Sequence, residues 1–508
     1  MNNVIWVIVA FVAYISMMIL IGAKFYKQNE TLSDFFLGGR KLNAWVAALS
    51  AQASDMSGWL LMGLPGAVYA LGTGQLWIAV GLAIGTALNW MFVAKRLRRY
   101  TIVSGNSITI PEYLENRFHD TSKVLRIAAA VFIAIFFAVY TASAFVAGAT
   151  LFERIFGLDY MLSLLIGVAV ILAYVFLGGF HAVCWTDLIQ GLLMIAAILL
   201  VPLIAFAALG DANALPAGFT DILGDGAGGA QSAISIISQL AWGLGYFGMP
   251  HILVRFMAIR SDKTVKRSAA IAIIWVVISL TMAIVAGVIG KLMFAELDNP
   301  ETVFIALIQR VFLDANAVVP VPILGGLFLC GILAAIMSTA DSQLLVTASS
   351  FTSDIYKNKL NKNASDRHLL LVSRLSVAAI AVIAFFIASN KDSSVMALVS
   401  NAWAGFGATF GALILLSLYW RRVNRVGAFA GVLAGGLTVI VWDYLPFSGG
   451  TIGSATGLYS LAVGFVVSLA AILIGSVATA KPGRETMDEF DRMVNYADDD
   501  AETRETPG

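Results

Sequence analysis

Asp55 sits in the stretch Ser50-Ala-Gln-Ala-Ser54-Asp55-Met56-Ser57-Gly58-Trp59, near the middle of an otherwise apolar run. An ionised carboxylate at mid-membrane depth costs several kcal/mol, so it marks a function or a partner. Ser54, Ser57 and Gly58 beside it loosen the helix and free backbone carbonyls. A hard, dehydrated cation needs oxygen ligands of that kind: carbonyls, hydroxyls and a nearby negative charge. The plain alternative is a packing kink with a protonated aspartate bonded to a neighbouring helix. A kink alone needs no carboxylate, so the cation reading is preferred.

A second set of oxygens lies in Ala335-Ile-Met-Ser338-Thr339-Ala-Asp341-Ser342. Positions 335, 338, 339 and 342 follow helical spacing and share one face, which Asp341 borders. Ser and Thr often bond back to the carbonyl one turn earlier. An aspartate in the same stripe favours an ion site, with the Ser338 and Thr339 hydroxyls meeting a cation that also touches carbonyls near Ala53 and Met56.

The segment Trp242-Gly-Leu-Gly-Tyr246-Phe-Gly-Met-Pro250 holds three glycines and a proline in nine residues and argues against a continuous helix. Its amides, or a half-helix N-terminus, offer a place for a carboxylate. Trp242 and Tyr246 offer faces for an apolar ring, and Trp59 and Tyr140 could complete the box. Close helix packing is the competing explanation of the glycines. No lysine or arginine is expected near this cavity. Asp187 reads as a helix cap or a site residue, and Arg40 as a solvated charge or a functional one. The four histidines, 119, 181, 251 and 368, fall at loops or span ends and receive no role. Cys184 and Cys330 lack ligand spacing and read as packing residues.

The elements that hold these residues are membrane spans. Hydrophobic residues make up 59% and charged residues 12% of 508, against about 25% charged in soluble domains, with a mean hydropathy of +0.85. Apolar runs long enough to cross roughly 30 Å of hydrocarbon recur about 13 times. They lie near 4–24, 43–70, 74–94, 124–152, 160–178, 185–208, 232–254, 269–292, 320–346, 369–388, 395–418, 426–445 and 457–478. The first reads as a retained span, not a signal peptide. Basic residues such as Lys24, Lys27, Arg96, Arg98, Lys263 and Arg422 collect in one set of loops; Asp211, Asp221, Asp225 and Glu296 collect in the other. That bias puts the N-terminus outside and the C-terminus in the cytoplasm. Residues 1–480 read as one transmembrane domain. Residues 481–508 read as a polar tail, ending in acidic Asp498-Asp499-Asp500, with little to bury. The unusual spans 43–70 and 232–254 stand five apart, which suits two inverted repeats of five helices, about 43–208 and 232–418.

At these residues the chain resembles the sodium/solute symporter family, and within it the proline-transporting bacterial branch. The resemblance runs to about residue 480 and is strongest at Leu37-Gly-Gly-Arg40, Ala53 to Gly66, Trp185-Thr-Asp187, Trp242 to Gly248, Pro250-His-Ile-Leu253, and Ser338-Thr339 with Gln343-Leu-Leu345. It implies an all-α LeuT-type core of ten helices with extra terminal helices, in the cell membrane, moving sodium inward with a small solute by alternating access. It assigns the main sodium site to Ala53, Met56, Ala335, Ser338 and Thr339, with Asp55, Ser57 and Gly58 around it. It assigns the solute to Trp59, Tyr140, Trp242, Tyr246 and Pro250, and a coupling role to Arg40. After the Ser-Thr pair this chain departs from the proline pattern with Ala340-Asp341-Ser342. The sialic acid branch uses the residues matching Asp187, Ser338, Asp341 and Ser342 for a second sodium, so a second sodium is expected here too. Proline is the expected solute; pantothenate, a sugar or another osmolyte is the alternative, and a channel or membrane sensor a more distant one. Sodium, the solute and lipid are the expected partners, with no nucleic acid, no organic cofactor and no catalytic constellation.

Overall fold

Backbone amides in hydrocarbon have no water to bond, so long runs of Leu, Ile, Val, Ala and Phe close their hydrogen bonds within helices. In the computed structural model, which describes residues 2–26, 36–176, 179–210, 213–224, 231–447 and 449–497, ten helices are long and apolar enough to cross a membrane. Lys27, Asp211, Asp225 and Asp498 to Asp500 lie outside the described residues.

The order is α1 (Asn2–Tyr26), the broken pair α2 (Ala44–Asp55) and α3 (Leu64–Leu71), then α4 (Thr73–Val103), a short α5 (Ile110–Arg117), α6 (Val124–Phe156), α7 (Tyr160–Val175) and α8 (Phe180–Ala207). A second broken pair follows, α9 (Ala233–Leu240) and α10 (Pro250–Ala258), and then α11 (Asp262–Met293) and α12 (Pro322–Leu360). The chain ends with α13 (Asp366–Ala388), α14 (Val395–Tyr419), α15 (Arg425–Tyr444), α16 (Ser460–Ala478) and α17 (Arg484–Val494). Apart from the two-residue strands Pro446–Phe447 and Gly450–Thr451, which pair antiparallel, the described residues hold no sheet.

Burial sorts these helices into layers. α12 and α14 are enclosed on nearly every side, whereas α1, α13 and α16 turn most of their surface outward. The outward surface carries Trp6, Leu20, Phe386 and Ile474, as a lipid-facing ring should. At the centre α2 packs on α8, α11 and α12, and α6 packs on α12 and α14.

One part of the expected tail is not loose. Thr486, Glu489, Phe490 and Met493 are buried at helical spacing along α17. Phe490 packs on Tyr100 with ring centroids 6.2 Å apart, Glu489 bonds the His119 ring at 3.2 Å, and Asp491 meets Arg421 at 2.5 Å. Two apolar residues in a charged segment are enough, because helical spacing brings them onto one face.

Candidate functional site: two interrupted helices around Asp55

The side chain of Asn43 caps α2 by accepting from the Val46 amide at 3.0 Å. At the other end the helix stops inside the membrane. The Met56 amide still reaches the Gln52 carbonyl at 2.8 Å, but Met56 takes φ −85°, ψ 78°, and the Ser57 amide turns back to the Asp55 carbonyl at 3.0 Å. The amide that continued helix would give to the Ala53 carbonyl is thereby diverted, so that oxygen must find another partner. It finds two. The Ser338 hydroxyl donates to it at 2.7 Å and the Thr339 hydroxyl at 3.5 Å, both from α12. Ser338 also lies 3.3 Å from the Ala335 carbonyl. Four of the five oxygens expected for the main sodium site therefore meet, and Met56 is the residue at which the helix breaks. Here the hydroxyls donate to the carbonyl; a cation would turn them so that their lone pairs face it.

The Asp55 side chain turns elsewhere. The Tyr246 hydroxyl donates to its Oδ2 at 2.6 Å, and its Oδ1 is buried without a hydrogen-bond partner. Its carbonyl accepts from Trp59 Nε1 at 3.1 Å and from the Tyr140 hydroxyl at 3.3 Å. Asp55, Trp59, Tyr140 and Tyr246 thus form one cluster, none of them more than 1% exposed. Ser57 sits at the turn, its hydroxyl 3.4 Å from the Trp59 amide. Gly58 lets the turn approach α6: a Cβ there would lie 2.8 Å from that of Ala147.

The second broken segment winds as a tight 3-10 helix over Ala241–Gly248 before Met249 extends and Pro250 starts α10. Its glycines serve close packing as well. A Cβ on Gly245 would fall 2.0 Å from Trp403 Nε1, and one on Gly243 would fall 2.2 Å from the Gly81 carbonyl oxygen. Trp242 lies one layer farther out. It stacks on Tyr459 at 5.4 Å and lines an outer cavity of about 510 Å³ with Asn401, Asp443 and Tyr444. Its carbonyl accepts from Trp403 Nε1 at 2.7 Å, and the Trp403 ring meets Tyr246 edge-on at 5.0 Å. Aromatic rings therefore run unbroken from that cavity to Asp55.

The expected second cation position is brought together differently. Asp187 Oδ2 accepts from Ser50 at 2.7 Å and from Arg255 at 3.1 Å, and the same guanidinium reaches Ser342 at 2.5 Å. Ser342 donates to Asp341 Oδ1 at 3.2 Å, while Ser338 belongs to the Ala53 carbonyl. A positive side chain, 1% exposed, thus stands where none was expected. The reason is a boundary: the apolar span ended at 254, whereas α10 runs on to Ala258 and keeps residue 255 inside. His251 was likewise placed at a span end. It is wholly buried four residues before Arg255, beside Phe137 at 5.6 Å and Tyr140 at 6.2 Å, and neither ring nitrogen has a hydrogen-bond partner.

Arg40 is half-buried and fully engaged. It bonds Thr101 at 3.1 Å, Asn106 at 3.0 Å and the carbonyls of Met257 at 2.6 Å and Ser107 at 2.8 Å. The loop before α2 is thereby tied to the end of α10. Burial, with the Arg98 charge behind it, pushes its guanidinium down to about 10, so it stays cationic at neutral pH.

Two interrupted helices enclosing buried polar side chains mark a carrier and not a continuous pore. The description "Sodium:solute symporter family" matches residues 35–435, and the chain belongs to that family. It is 44% identical over 479 residues to the high-affinity proline transporter PutP of Bacillus subtilis (strain 168), covering 93% of this chain and 98% of that one. It is 43% identical over 498 residues to the osmoregulated proline transporter OpuE of the same organism, covering 96% and 98%. A sodium/proline symporter of Staphylococcus aureus (strain JH9) is 42% identical over 485 residues, 92% of each chain. Among solved structures, a substrate-bound outward-open Na+-coupled sialic acid symporter superposes with a TM-score of 0.72 at 19% identity, over 94% of this chain and 99% of that one. Mhp1, a nucleobase-cation-symport-1 family transporter with bromovinylhydantoin bound, gives 0.55 at 12% identity, over 91% and 98%. These likenesses show a LeuT-type fold.

Proposed function

We propose that this chain carries L-proline into the cell, drawn by sodium through the Ala53, Met56, Ala335, Ser338 and Thr339 oxygens. One observation carries the sodium half: the carbonyl released by the break in α2 is met by two hydroxyls of α12. The proline half rests on relatives above 40% identity that are named proline transporters. Proline is a compact zwitterion with an apolar ring. The ring packs among Trp59, Tyr140 and Tyr246. The secondary ammonium takes Asp55 Oδ1, the acceptor without a partner, and the carboxylate takes the amides of Met249 and His251 on either side of Pro250, at the start of α10. Trp242 guards the outer entry, and Arg40 holds the inner loop against α10 while the chamber is shut. No organic cofactor enters the scheme.

For topology we propose thirteen spans: the ten long helices, the two broken ones over 44–71 and 233–258, and α7. The core is two five-helix inverted repeats over about 43–208 and 232–418. The N-terminus lies outside and the C-terminus in the cytoplasm, because the basic loops then face inward.

Binding of labelled proline to purified protein, with and without sodium, tests the function. Each ligand should tighten the other by the same factor. Proline binding indifferent to sodium would defeat the symport reading, and displacement by pantothenate or a sugar with none by proline would defeat the solute.

A further inference from the structure

Arg255 is a feature of the centre that a single-sodium, single-solute scheme leaves unused. Its guanidinium is bonded on three sides: Nε to the Ser50 hydroxyl at 3.0 Å, Nη1 to the His251 carbonyl at 2.8 Å, and Nη2 to both Asp187 and Ser342. The Phe180 ring lies 5.4 Å from its central carbon. These partners come from α2, α8, α10 and α12, the same helices whose relative movement a carrier must control. They are a carboxylate, two hydroxyls and a carbonyl, the oxygen set a small hard cation would select. Folding stability does not explain the arrangement, since a buried ion pair contributes little net stability over an apolar packing of the same volume.

Building on the proposed symport, we infer that Arg255 is a tethered second cation: its guanidinium fills the place of a second sodium between Asp187 and Ser342, so that one sodium moves per solute. Two residues of the expected second site, Asp187 and Ser342, remain ligands, but the occupant is covalently attached and is not transported. Asp187 and Asp341 then have a positive charge near them in every step of the cycle. Coupling falls to the ion at Ala53, Ser338 and Thr339. If the guanidinium is removed while its ligands stay, the oxygens are left without a cation and recruit one from solution.

Static accumulation of labelled proline in proteoliposomes reads the stoichiometry directly. At a tenfold sodium gradient and zero membrane potential, one coupled ion sustains about a tenfold proline gradient and two sustain about a hundredfold, since each ion contributes the same tenfold free energy. Wild type and Arg255→Lys should reach tenfold, and Arg255→Gln should approach a hundredfold. Adding Asp187→Asn to Arg255→Gln should bring the ratio back to tenfold. A hundredfold limit in wild type overturns the inference, as does a folded, proline-binding Arg255→Gln that remains at tenfold. Should Arg255→Gln not be recovered folded, radioactive sodium bound to wild type decides: one ion per chain supports the tethered cation and two overturn it. Wild type that accumulates no proline on a sodium gradient sinks the symport reading itself, and is told apart from these results by that absence.

Discussion

Removing the Ser338 hydroxyl is the sharpest test of the proposed main sodium site. In the structure this oxygen stands 2.7 Å from the Ala53 carbonyl, nearer than Thr339 at 3.5 Å, so Ser338→Ala deletes one prospective ligand and one present donor. A polar contact to a charged group contributes about 1.5–3 kcal/mol. At about 1.4 kcal/mol per tenfold, the sodium half-saturation constant should rise roughly 10- to 100-fold. Because sodium and proline are linked, proline affinity at low sodium should fall with it, yet return to wild type once sodium saturates. The assay is labelled-proline binding across a sodium titration, at proline well below and well above its dissociation constant. If the hydroxyl serves only to satisfy Ala53, the variant instead loses about 1 kcal/mol of stability and keeps the wild-type sodium dependence. That result, or a proline deficit persisting at saturating sodium, refutes the assignment.

Tyr246→Phe removes the 2.6 Å hydrogen bond to Asp55. The proline KM should rise by about tenfold or more at saturating sodium, and an effect confined to sodium half-saturation would contradict the placing of Asp55 with the solute. Gly245→Ala drives a methyl to 2.0 Å from Trp403 Nε1, in an indole held by its bond to Trp242; overpacking of this kind costs about 1–3 kcal/mol, visible as a lowered Tm, and an unchanged Tm would show that the segment yields. Met493→Asp puts a charge under α17, where Met493 is 1% exposed. Hydrogen exchange across 484–494 should accelerate while sodium half-saturation stays the same, and protection equal to wild type would mean that the helix is held from elsewhere.

What could be read from residues alone was set by how local the signal is. Asp55 among Ser54, Ser57 and Gly58 announces a broken helix because the cause and the effect lie within a few positions. The Ser338–Thr339 stripe was legible because α12 is continuous there and helical spacing fixes its face. The aim of the Asp55 carboxylate was not legible. At Met56 the backbone leaves helical φ and ψ, so helical phase no longer projects where side chains near the break point. Arg255 was hidden by the end of the hydropathy window, and Ser50, though in view beside Asp55, had no signal tying it to Asp187, 137 residues away. Trp403 carried no mark at all, since its role arises only where Gly245 lets it close.

The break after α2 gives a physical reason for sodium and solute to depend on each other. Ala53 and Asp55 are two residues apart in the last turn of α2, just before the chain loses its helix at Met56. The Ala53 carbonyl faces the α12 hydroxyls, while the Asp55 carbonyl gathers the Ser57 amide, Trp59 Nε1 and the Tyr140 hydroxyl. Holding a residue in one backbone conformation costs about 1–2 kcal/mol, and Met56, Ser57 and Gly58 must all be held before Asp55 and Trp59 present a fixed surface. In the proposed scheme, a cation drawing Ala53 against Ser338 and Thr339 would fix that strip first, so that a solute arriving afterwards would meet an ordered site and bind more tightly. Fixing even one or two of those residues matches the 1–3 kcal/mol common for coupled sites, a 5- to 150-fold change in affinity. In the proposed site both ligands would share this one turn, so ordering either half of it would favour the other.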